Sequence, residues 1–333
     1  MGKFNTSALN TTPAPHLRSP RTSDWVMRQV IYAMMIPTAG AVYFFGYRVF
    51  LMLLVGVGAS VAFEYIYQKL AGRKITINDY SAVVTGWLIA LSLPLATPLW
   101  TVALGGVVSI AIKQIFGGIG KNPINPAVFG RIFLSVLYYE ELGTFVAPRG
   151  ATDAFSSATP LNVLKEDVPI FADAVTAATG MDATIPSLWD LFLGTNLGGN
   201  IGDTSTLLLL LAFGYLVARR IIEPYVPVLY VLPVALIALV TSGFDVEFMM
   251  QHVLSGSLVF AAVFMVTDYS SSPFSPHGKV AFATGAGILT ILFRFYSSYP
   301  GGVGFAILTM NIFVPIIDRL LPPRIYGHKK RPS

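Results

Sequence analysis

Ten apolar runs limit this fold more than any other feature of the chain. They fall at about residues 28–46, 48–68, 81–93, 99–116, 126–139, 206–222, 226–242, 248–267, 280–296 and 302–321. Roughly 20 apolar residues carry a helix across about 30 Å of hydrocarbon. A backbone inside lipid must satisfy its own polar groups, which leaves helices or closed barrels. The runs therefore predict an all-α membrane protein of about ten transmembrane helices. Composition agrees: 54% of residues are hydrophobic and 12% charged, with a mean hydropathy of +0.66, against about a quarter charged in soluble domains. The runs at 81–93 and 126–139 are too short to cross cleanly and predict broken or tilted helices. The chain divides into a tail (1–25), five runs (26–139), a long polar segment (140–205), five more runs (206–321) and a basic tail (322–333).

Charge predicts the orientation. With the N-terminus inside, one set of loops and tails holds Lys3, Arg18, Arg21, Arg28, Lys69, Arg73, Lys74, Lys113 and Lys121. The same side takes Arg219, Arg220, Lys279, Arg319, Arg324, Lys329, Lys330 and Arg331. The opposite side holds only Arg48, Arg149, Lys165 and Arg294, while Arg131 lies within a run, so the balance is seventeen to four. By the positive-inside rule both termini are cytoplasmic and 140–205 is external. The first 24 residues are polar and lack the apolar core of a cleavable signal.

The two groups of five runs resemble each other. The first carries TGWLIALSLPLATP, an apolar run and FGGIGKN; the second carries SGSLVFAAVFMVTDYSSSPFSP, an apolar run and PGGVGFA. An odd number of crossings per unit turns the second copy over, so an inverted repeat is expected, with broken helices and a binding site near the repeat interface. The breaks at 117–126 and near 300–304 are expected to be non-helical and packed within protein.

Cysteine is absent, which removes disulfides, iron–sulfur ligation and thiolate-bound haem. The four histidines include no pair within one run, and only His252 lies beside a membrane segment. A redox role would need an organic cofactor. In GGIGKNPINPAVFGR (117–131), Pro123 and Pro126 forbid a continuous helix. Pro126 suits the first position of a new one, where free N–H groups favour a polar or anionic ligand; a plain turn between spans fits equally. Asn125-Pro126-Ala127 spells the aquaporin box, but the second half has no partner box. Glu64, Lys113, Arg131, Asp268, Arg294 and Asp318 lie in or at the ends of runs. Charges there are costly and are paired or functional. Those near run ends are expected to reach the interface, which leaves Glu64 and Asp268 as the candidates for an ion or flavin site, with Asn122 and Asn125.

The polar segment contains DAFSSATPLN (153–162). Thr159 before Pro160 reads as a helix N-cap, and an N-cap is also where helix N–H groups hold a phosphate. The small neighbours Ser156, Ser157 and Ala158 leave room for a bulky group.

These residues resemble the NqrB/RnfD family of bacterial ion-pumping electron-transfer complexes. DAFSSAT is similar to the family's Ser-Gly-Ala-Thr signature: Ser156, Ala158 and Thr159 match, and Ser157 stands where glycine is usual. GGIGKNPINPAVFGR is similar to the family's Gly-Gly-x-Gly-x-Asn-Pro-x-Asn-Pro-Ala stretch, and FMVTDYSSSP and YPGGVGFAILTMNIFVPIIDR resemble its second-half segments. Length and the short tail resemble the RnfD branch. The resemblance implies FMN bound covalently through Thr159, beside Ser156, Ser157, Ala158 and Asp153. It also implies a second, non-covalent flavin, riboflavin. The implied role is an electron carrier that is not catalytic alone, in the bacterial inner membrane. Its implied partners are the FMN-bearing G-type subunit and the small membrane subunits of a complex coupling ferredoxin and NAD to sodium or proton pumping, with no nucleic acid. The competing class is a secondary transporter or channel without redox cofactor, since inverted repeats with broken helices are common there.

Overall fold

The computed structural model describes residues 21–143, 145, 187–195, 199–297 and 302–323. The described residues form helices α1 (Ser23–Phe45), α2 (Tyr47–Leu70), α3 (Ser81–Leu91), α4 (Leu99–Ile115), α5 (Pro126–Leu137) and α6 (Tyr139–Gly143). After the long segment come α7 (Leu188–Leu193), α8 (Thr206–Ala218), α9 (Tyr225–Thr241), α10 (Val246–Leu254), α11 (Leu258–Phe264), α12 (Pro276–Tyr296) and α13 (Val303–Leu320). No strand is present among them, only an isolated bridge between Pro94 and Asn200. The protein is an all-α membrane protein.

Every expected run contains helix, but few of the helices are full-length spans. By length and composition Tyr47–Leu70, Pro276–Tyr296 and Val303–Leu320 can each cross a membrane, and α10 with α11, bent by 53°, would make a fourth. Helices α3, α4, α5, α8 and α9 are apolar but have only 10–17 residues. Local chemistry sets several boundaries. Asn125 caps α5 by accepting from the N–H groups of Ala127 (3.0 Å) and Val128 (3.3 Å), with Pro126 first in the helix. Ser275 caps α12 in the same way, accepting from Gly278 at 2.9 Å ahead of Pro276.

The packing has two-fold character. Helix α2 packs against α3 and α4, and α4 against α5; in the second half α9 packs against α10, α11 and α12, and α12 against α13. The halves meet through equivalent helices, α1 with α8 and α5 with α13. Both meeting pairs are antiparallel. Gln29 near the start of α1 accepts from Tyr215 (2.6 Å) and Arg219 (3.0 Å) at the end of α8, while Gly40 lies against Leu208 at its beginning. Asn125 at the start of α5 meets Asn311, and Ile132 further along meets Gly304 at the start of α13. A two-fold axis relating antiparallel neighbours runs across the helices, not along them, so the second half is an inverted copy of the first.

The break after α4 follows the expected pattern in part. It is non-helical, with Gly117, Gly118 and Gly120 at φ 106°, 94° and 77°, a left-handed backbone that favours glycine. Only its second part is packed: residues 122 and 125–128 are buried, while most of 115–121 is exposed at the end of the bundle. Of the counterpart near 300–304, residues 298–301 lie outside the described residues; Gly302 is non-helical and α13 begins at Val303.

Candidate functional site

A cleft lined by residues of both halves lies between them. It is built where elements end. The start of α3 gives Ser81, Val84 and Thr85; the buried part of the break gives Asn122, Asn125 and Pro126; the chain leaving α11 gives Thr267, Asp268 and Ser270. Lys113 of α4 lines it as well, and Leu88, Leu216 and Phe264 supply apolar wall.

Asn122, Asn125 and Asp268, which share no sequence neighbourhood across the halves, line this one cleft. Asn122 Nδ2 donates to Ser270 Oγ at 3.3 Å, and Asn125 Nδ2 to the Met265 carbonyl at 3.4 Å. The Asn125 N–H donates to Asn311 Oδ1 at 3.0 Å, and Asn311 in turn donates to the Ser271 carbonyl at 3.0 Å. Asp268 Oδ2 accepts from the hydroxyls of Ser270 (3.0 Å) and Ser271 (2.8 Å). Asn125 is thus both a helix cap and the joint between the halves.

Glu64 reaches the cleft through Lys113. The Lys113 ammonium donates to Glu64 Oε1 at 2.9 Å and to Ser81 Oγ at 2.5 Å. Gln114 and Gln68 also donate to Glu64 Oε1, at 2.6 Å and 3.3 Å. Both charges are almost fully buried, Lys113 at 3% and Glu64 at 1% exposure. The expectation that Lys113 reaches outward to an interface fails; its ammonium turns inward, because Glu64 and Ser81 satisfy it there. Arg294 departs from the same expectation: it is 1% exposed and donates to the carbonyls of His252 and Ser255. Arg131 is half-buried, donating to the Ser92 carbonyl (2.8 Å) and Ser135 Oγ (2.5 Å). Asp318 accepts from the Phe274 N–H at 3.1 Å.

At the other end of the bundle the chain leading into α8 packs on the first half. Residues 200–203 lie along the end of α3, where the N–H groups of Ile201 and Gly202 donate to the carbonyls of Leu93 (3.0 Å) and Leu91 (2.7 Å). Asp203 Oδ2 accepts from Ser257 Oγ (2.5 Å) and Asn200 Nδ2 (2.9 Å), fastening the insert to the start of α11.

The lining of the cleft favours a planar, polar ring. Asn122 Oδ1 is buried with no hydrogen-bond partner, and such an acceptor in a native protein calls for a donor. Lys113 provides a donor on the same wall. A ring edge with adjacent N–H and C=O groups satisfies both, and the apolar wall suits its face. The isoalloxazine system of a flavin has these features. Asp153, Ser156, Ser157, Ala158 and Thr159 lie outside the described residues. The flanks of that segment, α6 and α7, are at the end where the insert lies: Tyr138, next to α6, stacks edge-on against Trp100 at the start of α4, and Thr206, at the start of α8, donates to the Leu191 carbonyl in α7.

The fold and cleft define a multi-pass membrane protein with inverted halves and a polar cleft at their interface, and the family model for NQR2, RnfD and RnfE matches residues 10–327. The chain belongs to this family. It is 38% identical to the D subunit of the Na(+)-translocating ferredoxin:NAD(+) oxidoreductase complex of Acetobacterium woodii, over 98% of each chain. It is 34% identical to the D subunit of the proton-translocating ferredoxin:NAD(+) oxidoreductase complex of Clostridium ljungdahlii, over 95% of this chain and 96% of the relative. The D subunit of the ion-translocating oxidoreductase complex of Stutzerimonas stutzeri is also 34% identical, over 92% and 93%.

Proposed function

We propose that this chain is the D-type electron-carrying subunit of an ion-translocating ferredoxin:NAD oxidoreductase complex, not catalytic alone. The relatives named as D subunits of such complexes support this role, over nearly their whole length. Flavins supply one- and two-electron transfer between partner proteins. In this reading FMN is joined to Thr159 by a phosphoester, with Ser156, Ser157, Ala158 and Asp153 around it. Riboflavin, without covalent attachment, occupies the cleft of Asn122, Asn125, Lys113 and Asp268, and Glu64 holds Lys113. The partners are the other Rnf-type subunits, including the FMN-bearing G-type subunit and the small membrane subunits.

The observation that carries the proposal is the convergence of Asn122, Asn125 and Asp268 on one cleft with an unpaired acceptor, in a chain of this family. The proposed setting is the bacterial inner membrane, with cytoplasmic termini and residues 140–205 external. In support, Arg21, Arg73, Arg219 and Lys279 are joined by hydrogen bonds and ring contacts to elements at the cleft end of the bundle. The basic residues thus stand opposite the flanks of the long segment.

Mass spectrometry of the peptide containing Thr159, from cells that flavinylate other proteins, tests the covalent site. The expected result is an FMN adduct on Thr159, lost in Thr159→Ala while the protein still inserts, because a surface cap contributes only about 1 kcal/mol. A flavin released on denaturation, in addition to the bound one, reports the cleft. An unmodified peptide together with a colourless protein would return the chain to the transporter reading.

A further inference from the structure

The inverted halves permit a residue-by-residue comparison of their buried charges. In the first half Gly106 of α4 lies against the Gly56 carbonyl of α2; in the second Gly287 of α12 lies against the Tyr230 carbonyl of α9. Seven residues beyond these glycines stand Lys113 and Arg294. Both are buried; Lys113 donates to the Ser81 hydroxyl at the start of α3, and Arg294 to the Ser255 carbonyl at the break between α10 and α11. Eight residues beyond the two residues that present these carbonyls stand Glu64 and Ala238. The carboxylate that neutralises Lys113 is therefore replaced, in the second half, by a fully buried alanine.

Arg294 is left with no carboxylate within ion-pair distance among the described residues. Its Nη1 and Nη2 donate to the carbonyls of His252 and Ser255, which closes the open end of α10 at its break with α11. That capping role does not account for the rest of the cluster. Arg294 Nε, both ring nitrogens of His252 and Ser255 Oγ are all buried without a hydrogen-bond partner. Buried polar atoms in native proteins are paired with protein, water or an ion, and an unneutralised buried guanidinium is costly. Arg294 Nε offers a proton and cannot accept, while Ser255 Oγ and the His252 ring can each donate or accept. An unpaired buried guanidinium N–H and a net positive charge, with alanine at the position equivalent to Glu64, describe a site for an anion.

We infer that Arg294, His252 and Ser255 bind a small inorganic anion of the halide class, which stands in the second half where Glu64 stands in the first. The site is independent of the cleft and of any flavin. It lies in the last turn of α12, close to the end of the bundle, so a hydrated halide has a short way in. Burial at 1% exposure rules out a lipid headgroup or an acidic side chain of another protein reaching Arg294.

The test is thermal unfolding of the purified full-length protein in detergent, in sodium chloride or sodium bromide against sodium gluconate at equal ionic strength. A ligand that binds only the folded state raises the midpoint with its concentration; the expected rise in halide is roughly 2 °C or more. Ala238→Glu places a carboxylate where Glu64 would fall, and should melt alike in both salts. Arg294→Gln should also lose the dependence. Bromide soaked into crystals should give an anomalous peak within reach of Arg294 Nε. Equal melting of the unaltered protein in halide and gluconate overturns the inference, as does an Ala238→Glu protein that responds to halide as strongly as the parent. If Arg294→Gln does not fold, the Ala238→Glu comparison and the bromide peak decide the matter.

Discussion

Breaking the Glu64–Lys113 pair should destabilise the protein strongly, and breaking both sides of it should not. The pair is 2.9 Å apart, with side chains 1% and 3% exposed. Glu64→Gln keeps the shape of the side chain and an oxygen to accept from Lys113, Gln114 and Gln68, so its main effect is to leave a buried ammonium without a counter-charge. An uncompensated buried charge costs about 3–5 kcal/mol, whereas replacing a whole buried pair by neutral groups is often near neutral. Lys113→Met alone leaves Glu64 unpaired and should cost a similar amount. The double variant should regain most of the loss, a coupling energy on the order of 3 kcal/mol. Thermal unfolding in detergent ranks the four proteins; each single variant should melt roughly 5–10 °C lower and the double variant close to the parent. A double variant that melts lower than both singles, by the sum of their losses, would refute the reasoning, because the two charges would then be acting independently.

Two further outcomes follow from close packing and from the backbone pairing of Ile201 and Gly202. Gly86→Ala places a methyl 2.5 Å from the Gly56 carbonyl oxygen and 2.8 Å from Ser60 Oγ, between the backbones of α2 and α3. It should cost roughly 1–3 kcal/mol by overpacking, while Gly58→Ala, with nothing within 4 Å, should be neutral or slightly stabilising in the same melting assay. Hydrogen exchange should find the Ile201 and Gly202 amides among the slowest outside the helices, since both donate to the chain at the end of α3; exchange at loop rates would show that the insert does not stay seated.

Much of the fold is legible in the chain, for an identifiable reason. Lipid leaves the backbone so few options that apolar runs mark helices almost directly, and helix occurs in every expected run. Their lengths are not legible, because Pro and Gly breaks end several helices within 10–17 residues. Asn122, Asn125 and Asp268 are legible because polar groups in apolar surroundings need a reason, and the cleft is one. The fates of Lys113 and Arg294 are not. A cation near the end of a run has the same sequence signature whether it reaches water or turns inward, and only the neighbouring helix decides. A signal does exist in the spacing: each cation follows a helix-packing glycine by seven residues, once the halves are aligned by these glycines instead of by the later Gly-Gly pairs. The insert at 200–203 leaves no signal, because its pairing with the end of α3 is through backbone groups that nearly every residue possesses.

The seating of residues 200–203 bears on the choice between electron carrier and transporter. Inverted-repeat transporters work by letting the two halves exchange shapes, so that the site opens to each side in turn. Exchange here would require the end of the bundle opposite the cleft to open, and that end can open only if Ile201 and Gly202 release Leu93 and Leu91 and if Asp203 releases Ser257. Each neutral hydrogen bond contributes about 0.5–1.5 kcal/mol net, and bonds to a charged group about 1.5–3, so the opened state is several kcal/mol higher before any buried apolar surface is counted. The Glu64 to Ala238 difference adds to this, because the two halves no longer hold the same charges and so cannot trade places at equal energy. A protein that moves electrons has no need of that exchange, since electrons cross between fixed sites. Its requirement is the reverse, a rigid frame that keeps a cofactor at a constant distance from its partners, and an insert fastened to both halves suits such a frame.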